Sequence, residues 1–311
     1  MLNNLPAGLK GSIVFLLIVL NTLFWTPVLI LGAVLKVIIP LEPVKKHVTK
    51  TLIAVATCWV AFNSVLLDNS NKIDWVVTGG DEGLSIENWY LVNCNHQSWT
   101  DILVVQKVLN RKIPMLKFFL KKELMWVPVI GLCWWALDFP FMKRYSAEMV
   151  RKNPQLAGKD LETTRIACEK FKTTPVSVFN FMEGTRYTEE KHRRQQSPYA
   201  NLLKPKAGGA AFVLGSMGEQ MNTLIDISIV YPDGNGISLW DLCCGRITKI
   251  VVDIRKLAIP DEFLGKDYAN DAVFKANFQA WLNEFWLEKD QLLTDLKKRH
   301  ALSGSEKTEN S

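Results

Sequence analysis

Two long apolar stretches open the chain, ahead of any regular alternation of hydrophobic and polar positions. Residues 11–35 carry no charged side chain and are bounded by Lys10 and Lys36, which is long enough to span a bilayer. Residues 51–67 form a second uncharged stretch, which is shorter and contains Asn63. We expect residues 1–68 to anchor the mature protein to a membrane, because the first stretch is too long for a signal peptide and lacks a small-x-small cleavage site.

The charges beside these stretches limit how they can be arranged. Four lysines lie between the uncharged cores: Lys36, Lys45, Lys46 and Lys50. A hairpin that crossed the membrane twice would leave these lysines outside, against the positive-inside tendency. Two arrangements remain: one crossing by residues 11–35 followed by an interfacial helix, or a shallow hairpin in one leaflet. Either predicts a location at the cell membrane, the inner membrane in a bacterium, with the rest of the chain facing the cytoplasm.

Short apolar runs then alternate with helical patterns. Strand-like runs occur at residues 75–78, 89–93, 113–116, 176–181, 223–231 and 247–254, and helical patterns at residues 100–109, 160–172 and 207–217. This alternation predicts an α/β domain over residues 69–265, with a layered mixed sheet flanked by helices. Residues 266–300 predict an amphipathic C-terminal helix rich in aromatic side chains, and residues 301–311 a flexible tail.

A histidine and a carboxylate flank the turn between the second predicted strand and the helix that follows. Residues 95–101 read Asn-His-Gln-Ser-Trp-Thr-Asp, and on one continuous helix His96 and Asp101 would lie about 140° apart. They can meet only if His96 lies in the turn and Asp101 in the first helical turn, with Ser98 or Thr100 as the cap. Asp101 would then fix the imidazole tautomer and leave the other nitrogen free to take a proton from an alcohol.

Composition argues against several other classes of function. The net charge is +6, without an aromatic-interleaved basic stripe, so we expect no nucleic-acid partner. The four histidines include no His-Glu-x-x-His motif, and we expect no metal site. Walker A, dinucleotide-binding and Gly-x-Ser-x-Gly motifs are absent from the sequence. The six cysteines show no Cys-x-x-Cys spacing, which is typical of reduced, buried thiols.

A second motif makes the sequence recognisable. Residues 181–186 read Phe-Met-Glu-Gly-Thr-Arg, and with residues 95–101 they closely resemble the His-x4-Asp glycerolipid acyltransferases. The best-known members of that family are the 1-acyl-sn-glycerol-3-phosphate acyltransferases. Residues 183–192 are similar to the branch of long-chain lysophosphatidate and lysocardiolipin acyltransferases. The resemblance covers roughly residues 93–231. It implies acyl transfer from coenzyme A or acyl carrier protein to a lipid hydroxyl, with His96 as general base, Asp101 as its orienting group and no cofactor.

The resemblance also implies residues that bind substrate. The second motif supplies Glu183, Gly184, Thr185 and Arg186. Gly184 permits a tight turn, and Arg186 would hold a phosphate through its guanidinium fork. Glu183 would anchor the loop or a donor group, although an ordinary salt bridge also fits.

Two further basic residues match recurring family positions. Arg144 matches the arginine of another family motif, and Lys206 matches a recurring Lys-x-Gly before a helix. Arg144 would contact the acceptor, and Lys206 would contact phosphate. Alternatively, either side chain is simply a solvated surface residue.

Residues 124–142 are apolar enough to suggest a third transmembrane helix. A crossing there would put His96 and Glu183 on opposite sides of the membrane and preclude a shared site. We therefore place this segment inside the domain, where its large apolar residues line a tunnel, touch lipid or form plain core. The residues concerned are Trp126, Val129, Ile130, Trp134 and Trp135.

The sequence thus predicts a membrane-associated enzyme that converts 1-acyl-sn-glycerol-3-phosphate to phosphatidic acid. Its expected partners are a lysophospholipid, acyl-coenzyme A or acyl carrier protein, and membrane lipid. Lysocardiolipin, another lysophospholipid or glycerol phosphate are alternative acceptors, because residues 224–230 lack the proline usual in the fourth family motif. The alternative from another class is a catalytically silent lipid-binding protein.

Overall fold

A mixed six-stranded sheet forms the centre of the computed structural model, with helices on both faces and two long helices ahead of it. The structure describes residues 5–80, 82–142, 151–152, 159–234, 236–266, 268 and 271–305. The helices are α1 (Ala7–Ile38), α2 (Glu42–Ser70), α3 (Thr100–Leu109), α4 (Ile130–Ala136), α5 (Lys159–Phe171), α6 (Glu189–Gln195), α7 (Ala207–Met217), α8 (Leu239–Cys244) and α9 (Ala272–Ser305). The strands are β1 (Asp74–Gly79), β2 (Tyr90–Cys94), β3 (Leu116–Phe118), β4 (Leu120–Lys121), β5 (Phe141–Met142), β6 (Ser177–Asn180), β7 (Thr223–Val230) and β8 (Lys249–Ala258).

The six strands run in the order β1-β8-β7-β2-β6-β3, and only the β7–β8 pair is antiparallel. The predicted mixed α/β sheet is therefore confirmed. Alternate residues of β2 face opposite layers: Leu91 packs with α5, α7 and α9, and Val92 packs with α3 and α8. Because β2, β6 and β7 are parallel, their carboxyl ends meet at one edge of the sheet, the usual place for a ligand in such folds.

Most predicted elements occur within a few residues of their expected bounds, and α3 and α7 match them fully. The third strand was expected at residues 113–116 but lies at Leu116–Phe118. The amides of Lys112 and Ile113 bond to the Leu109 carbonyl, and Pro114 has no amide hydrogen to donate, so the chain extends only after it. Helix α9 continues to Ser305, past the expected boundary at residue 300.

The first two helices form an antiparallel hairpin joined at residues 39–41. Gly32 lets Leu52 approach closely, since an added Cβ would lie 2.5 Å from the leucine side chain. Farther along, the Asn21 amide donates to the Asn63 side chain at 2.9 Å. By length and composition, both helices could cross a membrane. Helix α2 begins at Glu42, ahead of the uncharged stretch, so Lys45, Lys46 and Lys50 belong to its first turns. A proline near the N-terminus favours helix initiation at this point.

Helix α1 contacts the α/β domain near both of its ends. An added Cβ on Gly11 would lie 2.5 Å from Cys244 Sγ in α8, and Lys36 forms an ion pair with Asp138, which follows α4. The hairpin therefore lies along the domain. Its outward side exposes large apolar residues, including Phe15, Leu16, Leu20, Phe24, Leu31 and Val37.

Residues 124–142 do not form a single membrane-length helix. They comprise part of a 3₁₀ turn (Lys122–Trp126), then α4 and β5, as their predicted place within the domain requires. Trp126 is 80% exposed and Trp135 is 44% exposed. Ile130 and Trp134 instead pack on the apolar cluster between α4 and the hairpin, so the tryptophans divide between surface and core.

Candidate active site

His96 and Asp101 meet at the carboxyl end of β2. His96 lies in the turn after the strand, and Asp101 lies in the first turn of α3. The imidazole Nδ1 lies 3.0 Å from Asp101 Oδ2, which is the arrangement that the spacing predicts. The other ring nitrogen, Nε2, is left to face a reacting group.

The Asp101 carboxylate is fully buried and held from several directions. Its Oδ2 also accepts hydrogen bonds from the backbone N–H groups of Gln97 at 2.7 Å and Ser98 at 2.8 Å. Its Oδ1 accepts from the Tyr231 hydroxyl at 2.7 Å. Burial raises the pKa of Tyr231 well above its usual value, so the phenol stays a neutral donor. These contacts fix the carboxylate plane, and with it the ring that it orients.

The predicted capping arrangement needs a correction. Ser98 and Thr100 were the expected caps, but neither is the N-cap of α3. The N-cap is Trp99, which makes no side-chain cap hydrogen bond. The Asp101 carboxylate reaches backward to the preceding amides instead, and Ser98 Oγ accepts from the Thr100 amide at 3.1 Å. The turn is stabilised by the same carboxylate that orients the imidazole.

The His96 ring lies between a buried side and the surface. Phe181 stacks on one face, with ring centres 3.7 Å apart and planes 15° from parallel. The His96 side chain retains 12% of its exposure, whereas the Asp101 side chain retains none. The His96 carbonyl accepts from the Tyr187 amide at 2.7 Å, which joins this turn to the segment after the second motif. The ring is therefore held firmly yet is still reachable from outside.

Glu183 is an internal anchor in this structure. Its Oε1 accepts from the His96 amide at 2.7 Å, and its Oε2 accepts from the Leu203 amide at 3.0 Å. Burial raises the pKa of Glu183 to about 7, although both of these N–H groups act in the opposite direction. Of the roles left open by the sequence, this geometry supports loop anchoring.

The turn after Glu183 brings basic side chains to the surface. Gly184 has φ of +69°, and an added Cβ would lie 2.8 Å from Lys206 Cδ, so glycine is required by both conformation and space. Lys206 is exposed beside this turn, and the exposed Arg186 guanidinium lies 5.6 Å from the centre of the Trp99 ring. Thr185 Oγ1 accepts from Lys191 Nζ at 2.9 Å. This arrangement offers an anion two cationic side chains next to the His96 turn.

Arg144 lies outside the residues that the structure describes. Cys94, two positions before His96, is buried and donates to the Asn95 carbonyl at 3.1 Å. Burial raises the pKa of the Cys94 thiol well above its usual value, which disfavours a nucleophilic thiolate. Within the described residues, no group of three or more His, Cys, Asp or Glu side chains is arranged to hold a metal ion.

Sequence reasoning missed two residues that support the site. Tyr231 was included only as the end of a strand, yet its hydroxyl bonds to a carboxylate 130 positions earlier. Asn95 bonds through its side chain to both backbone groups of Ile229, at 2.8 Å and 2.9 Å, and so joins the ends of β2 and β7. The available signal was that both residues are polar and lie at or just after the ends of predicted strands, Tyr231 as the last residue of one and Asn95 two positions after another.

Part of the chain is similar to known proteins. Residues 76–230 match the family model described as Acyltransferase. The chain is 25% identical over 184 residues to 1-acyl-sn-glycerol-3-phosphate acyltransferase delta of Homo sapiens, covering 56% of this chain and 43% of that protein. It is 23% identical over 200 residues to the gamma protein of Mus musculus, covering 61% and 48%.

A solved structure is also similar. The 1-acyl-sn-glycerophosphate (LPA) acyltransferase PlsC from Thermotoga maritima aligns with a TM-score of 0.49 and 18% identity, over 91% of this chain and 98% of that one. The curated relatives are much longer than the matched region: the alignments span less than half of the length of either protein named above.

Proposed function

The chain belongs to the acyltransferase family through residues 76–230, and from that premise we propose that it transfers a fatty acyl chain to the free hydroxyl of 1-acyl-sn-glycerol-3-phosphate, giving phosphatidic acid. The observation that carries the proposal is the His96–Asp101 pair, with Nδ1 and Oδ2 3.0 Å apart and the ring still accessible. Such a pair supplies a base and its orienting group, and the attacking hydroxyl comes from the substrate.

In the proposed reaction, His96 Nε2 takes the proton of the acceptor hydroxyl as that oxygen attacks the thioester carbonyl. The tetrahedral intermediate then collapses, the carbon–sulfur bond breaks, and the imidazolium returns the proton to the thiolate leaving group. Asp101 stabilises the imidazolium and keeps Nε2 aimed outward. The buried, high-pKa Cys94 thiol supports direct transfer over an acyl-enzyme on this residue.

The basic groups beside the dyad support a phosphate-bearing acceptor. Arg186 is exposed and lies over Trp99, and Lys206 lies beside Gly184. A guanidinium fork binds a phosphate through two parallel hydrogen bonds, and a nearby ammonium adds charge. We assign Arg186 as the main phosphate contact and Lys206 as a second one, with Gly184 and Thr185 shaping the turn. Glu183 supports this turn from inside, and Arg144 stays a further proposed acceptor contact.

The proposed donor is a fatty acyl thioester of coenzyme A or acyl carrier protein, used as a substrate. A base, its orienting carboxylate and a good thiolate leaving group suffice for this chemistry, so the proposal requires no metal or prosthetic group.

The hairpin supports action at a membrane surface. Gly11 and Lys36 both touch the α/β domain, although the segment between them would measure about 38 Å as a helix. A full crossing by this segment would draw the contacting parts of the domain into the bilayer. We therefore favour the shallow hairpin, embedded in the cytoplasmic leaflet through its apolar face, with the active site facing the cytoplasm.

A transfer assay tests this function. Membranes containing the full chain are supplied with labelled oleoyl-coenzyme A or oleoyl-acyl carrier protein and, separately, lysophosphatidate, lysocardiolipin, lysophosphatidylcholine or glycerol 3-phosphate. The proposal expects labelled phosphatidic acid to form fastest. Faster acylation of another acceptor would reassign the substrate, and no transfer with any combination would favour the silent lipid-binding alternative.

A further inference from the structure

The C-terminal helix α9 lies outside the residues matched by the family model, which end at residue 230. It nevertheless reaches the candidate active site through its buried polar atoms. Two separate sets of hydrogen bonds run from one side of α9 toward the turns that carry His96 and Glu183.

The first set starts at Lys289, whose ammonium is fully buried. Its Nζ donates to Asp226 Oδ1 at 2.8 Å, and also to the Ile227 carbonyl and Ser228 Oγ in β7. Asp226 Oδ1 accepts in turn from the side-chain amide of Asn93 at 2.7 Å. Asn93 Oδ1 accepts from the backbone N–H of Met182 at 3.3 Å. Met182 directly precedes Glu183, so this set ends on the backbone of the second motif.

The second set starts one helical turn earlier. Trp286 Nε1 donates to the Leu203 carbonyl at 2.9 Å. The amide of Leu203 donates to Glu183 Oε2, and Glu183 Oε1 holds the His96 amide. Asp290, also on α9, accepts from the amides of Ala200 and Asn201 at 2.8 Å and 2.7 Å. Helix α9 thereby fixes the segment on which one oxygen of Glu183 depends.

We propose that α9 positions the catalytic turns, with Lys289 and Trp286 as positioning residues that act through Asn93 and Leu203 on the Glu183 and His96 backbones; this inference rests on the proposed acyl transfer. The contacts of Lys289 in β7 would be enough to attach α9 to the sheet. Its partner Asp226, however, also accepts a hydrogen bond from Asn93 in β2, and Asn93 accepts one from the Met182 amide, so the hydrogen bonds continue from α9 to the turn that carries Glu183.

The test uses the full chain in detergent and four proteins: wild type, Lys289→Met, Trp286→Phe and the control Leu293→Ala. The methionine keeps an unbranched apolar stem but removes the buried ion pair with Asp226 together with the hydrogen bonds of Lys289. The phenylalanine keeps an aromatic ring and removes one hydrogen bond. Leu293 is a buried core residue of the same helix, and its truncation weakens packing without touching either set. Turnover and KM for oleoyl-coenzyme A and lysophosphatidate are measured, with backbone hydrogen exchange across residues 95–99, 182–187 and 200–203.

We expect Lys289→Met and Trp286→Phe to lower kcat on the order of 10- to 100-fold, because small displacements of catalytic groups are costly, and to leave both KM values within about twofold. Exchange should accelerate in the three site segments while α9 itself stays protected. Leu293→Ala should lower the melting temperature and retain the turnover of the folded protein.

The proposal is overturned if both hydrogen-bond variants lose melting temperature as Leu293→Ala does, with unchanged kcat or unchanged exchange in the site segments. If the wild type shows no acyl transfer, the proposed function fails by itself. The exchange pattern then still decides whether α9 holds the turns. If Lys289→Met does not fold, Trp286→Phe gives the decision.

Discussion

Tyr231 donates its hydroxyl hydrogen to Asp101 Oδ1 at 2.7 Å, on the carboxylate oxygen opposite the one that faces His96. The phenol comes from the residue just after β7, whereas the histidine and aspartate come from the turn after β2 and the start of α3. A strand end that contributes no reacting group thus sets the angle of the orienting carboxylate.

The first prediction concerns this hydroxyl. Tyr231→Phe should lower kcat by roughly 10- to 100-fold, because a hydrogen bond to a charged group contributes roughly 1.5–3 kcal/mol. The KM for the acceptor should change little, because the Tyr231 hydroxyl bonds to Asp101, which is not one of the proposed phosphate contacts. Steady-state transfer kinetics check this, with Tyr268→Phe as the control, since Tyr268 packs on Phe274 and Phe278 instead. Equal kcat in Tyr231→Phe and the wild type would show that the Tyr231 hydroxyl does not support catalysis.

Local chemistry made the centre of the site predictable. The pairing of His96 with Asp101 follows from five positions of spacing, a strand before them and a helix after, all within one short segment. The bounds of α3 and α7 followed from apolar periodicity for the same reason. Tyr231, Trp286 and Lys289 were not predictable in their roles, because their partners lie 130, 83 and 61 to 63 positions away and depend on strand order.

The predicted position of strand β3 was wrong, and the reason shows what a local apolar pattern does not reveal. Residues 113–116 read as an apolar run, but the end of α3 takes the Ile113 amide into its own closing turn. The start of α2 was likewise hidden, because its first turns carry lysines and lie outside the uncharged stretch. Backbone hydrogen bonding at the end of α3 decided the first case, and a proline near the N-terminus of α2 favoured the early start in the second.

The second prediction concerns phosphate recognition. Arg186→Ala should raise the KM for lysophosphatidate by roughly 10- to 100-fold, in keeping with the loss of one charge-assisted interaction. Arg186→Lys should recover only part of this loss, because an ammonium keeps the charge but not the planar fork. Arg193→Ala, at an exposed position on α6, is the matched control and should resemble the wild type. Equal rises in this KM for Arg186→Ala and Arg193→Ala, with Arg186→Lys like the wild type, would indicate general charge attraction instead.

The third prediction uses the pH dependence of stability. Burial raises the pKa of Glu183 from 4.5 to about 7, so between these values the folded protein binds this proton more than the unfolded chain does. Stability from this group therefore falls as the pH rises from 4.5 to 7 and is level above that range. The change amounts to roughly 3 kcal/mol.

Glu183→Gln cannot titrate and provides the comparison. Chemical denaturation in detergent at several pH values should show the wild type losing stability relative to Glu183→Gln between pH 4.5 and 7, on top of any constant offset. Parallel curves for the two proteins across this range would contradict a raised pKa at Glu183.

The fourth prediction concerns the hairpin. In sealed vesicles, a membrane-impermeant maleimide should label Gly8→Cys and Pro40→Cys from the same side as Glu219→Cys in the α/β domain. Five of the six native cysteines are buried, which keeps the background low. Labelling of Gly8→Cys from the opposite side would establish a single crossing by α1. Labelling of Pro40→Cys alone from the opposite side would establish a double crossing.

In the proposed reaction, His96 removes the proton from the acceptor hydroxyl. The most direct measurement is the rate of oleoyl transfer from oleoyl-coenzyme A to lysophosphatidate by membranes containing His96→Ala, normalised to the amount of inserted protein and compared with the wild type. We expect a loss of at least about a hundredfold, the usual contribution of a positioned general base. Transfer by an equally abundant, correctly inserted His96→Ala protein at a rate close to that of the wild type would contradict it.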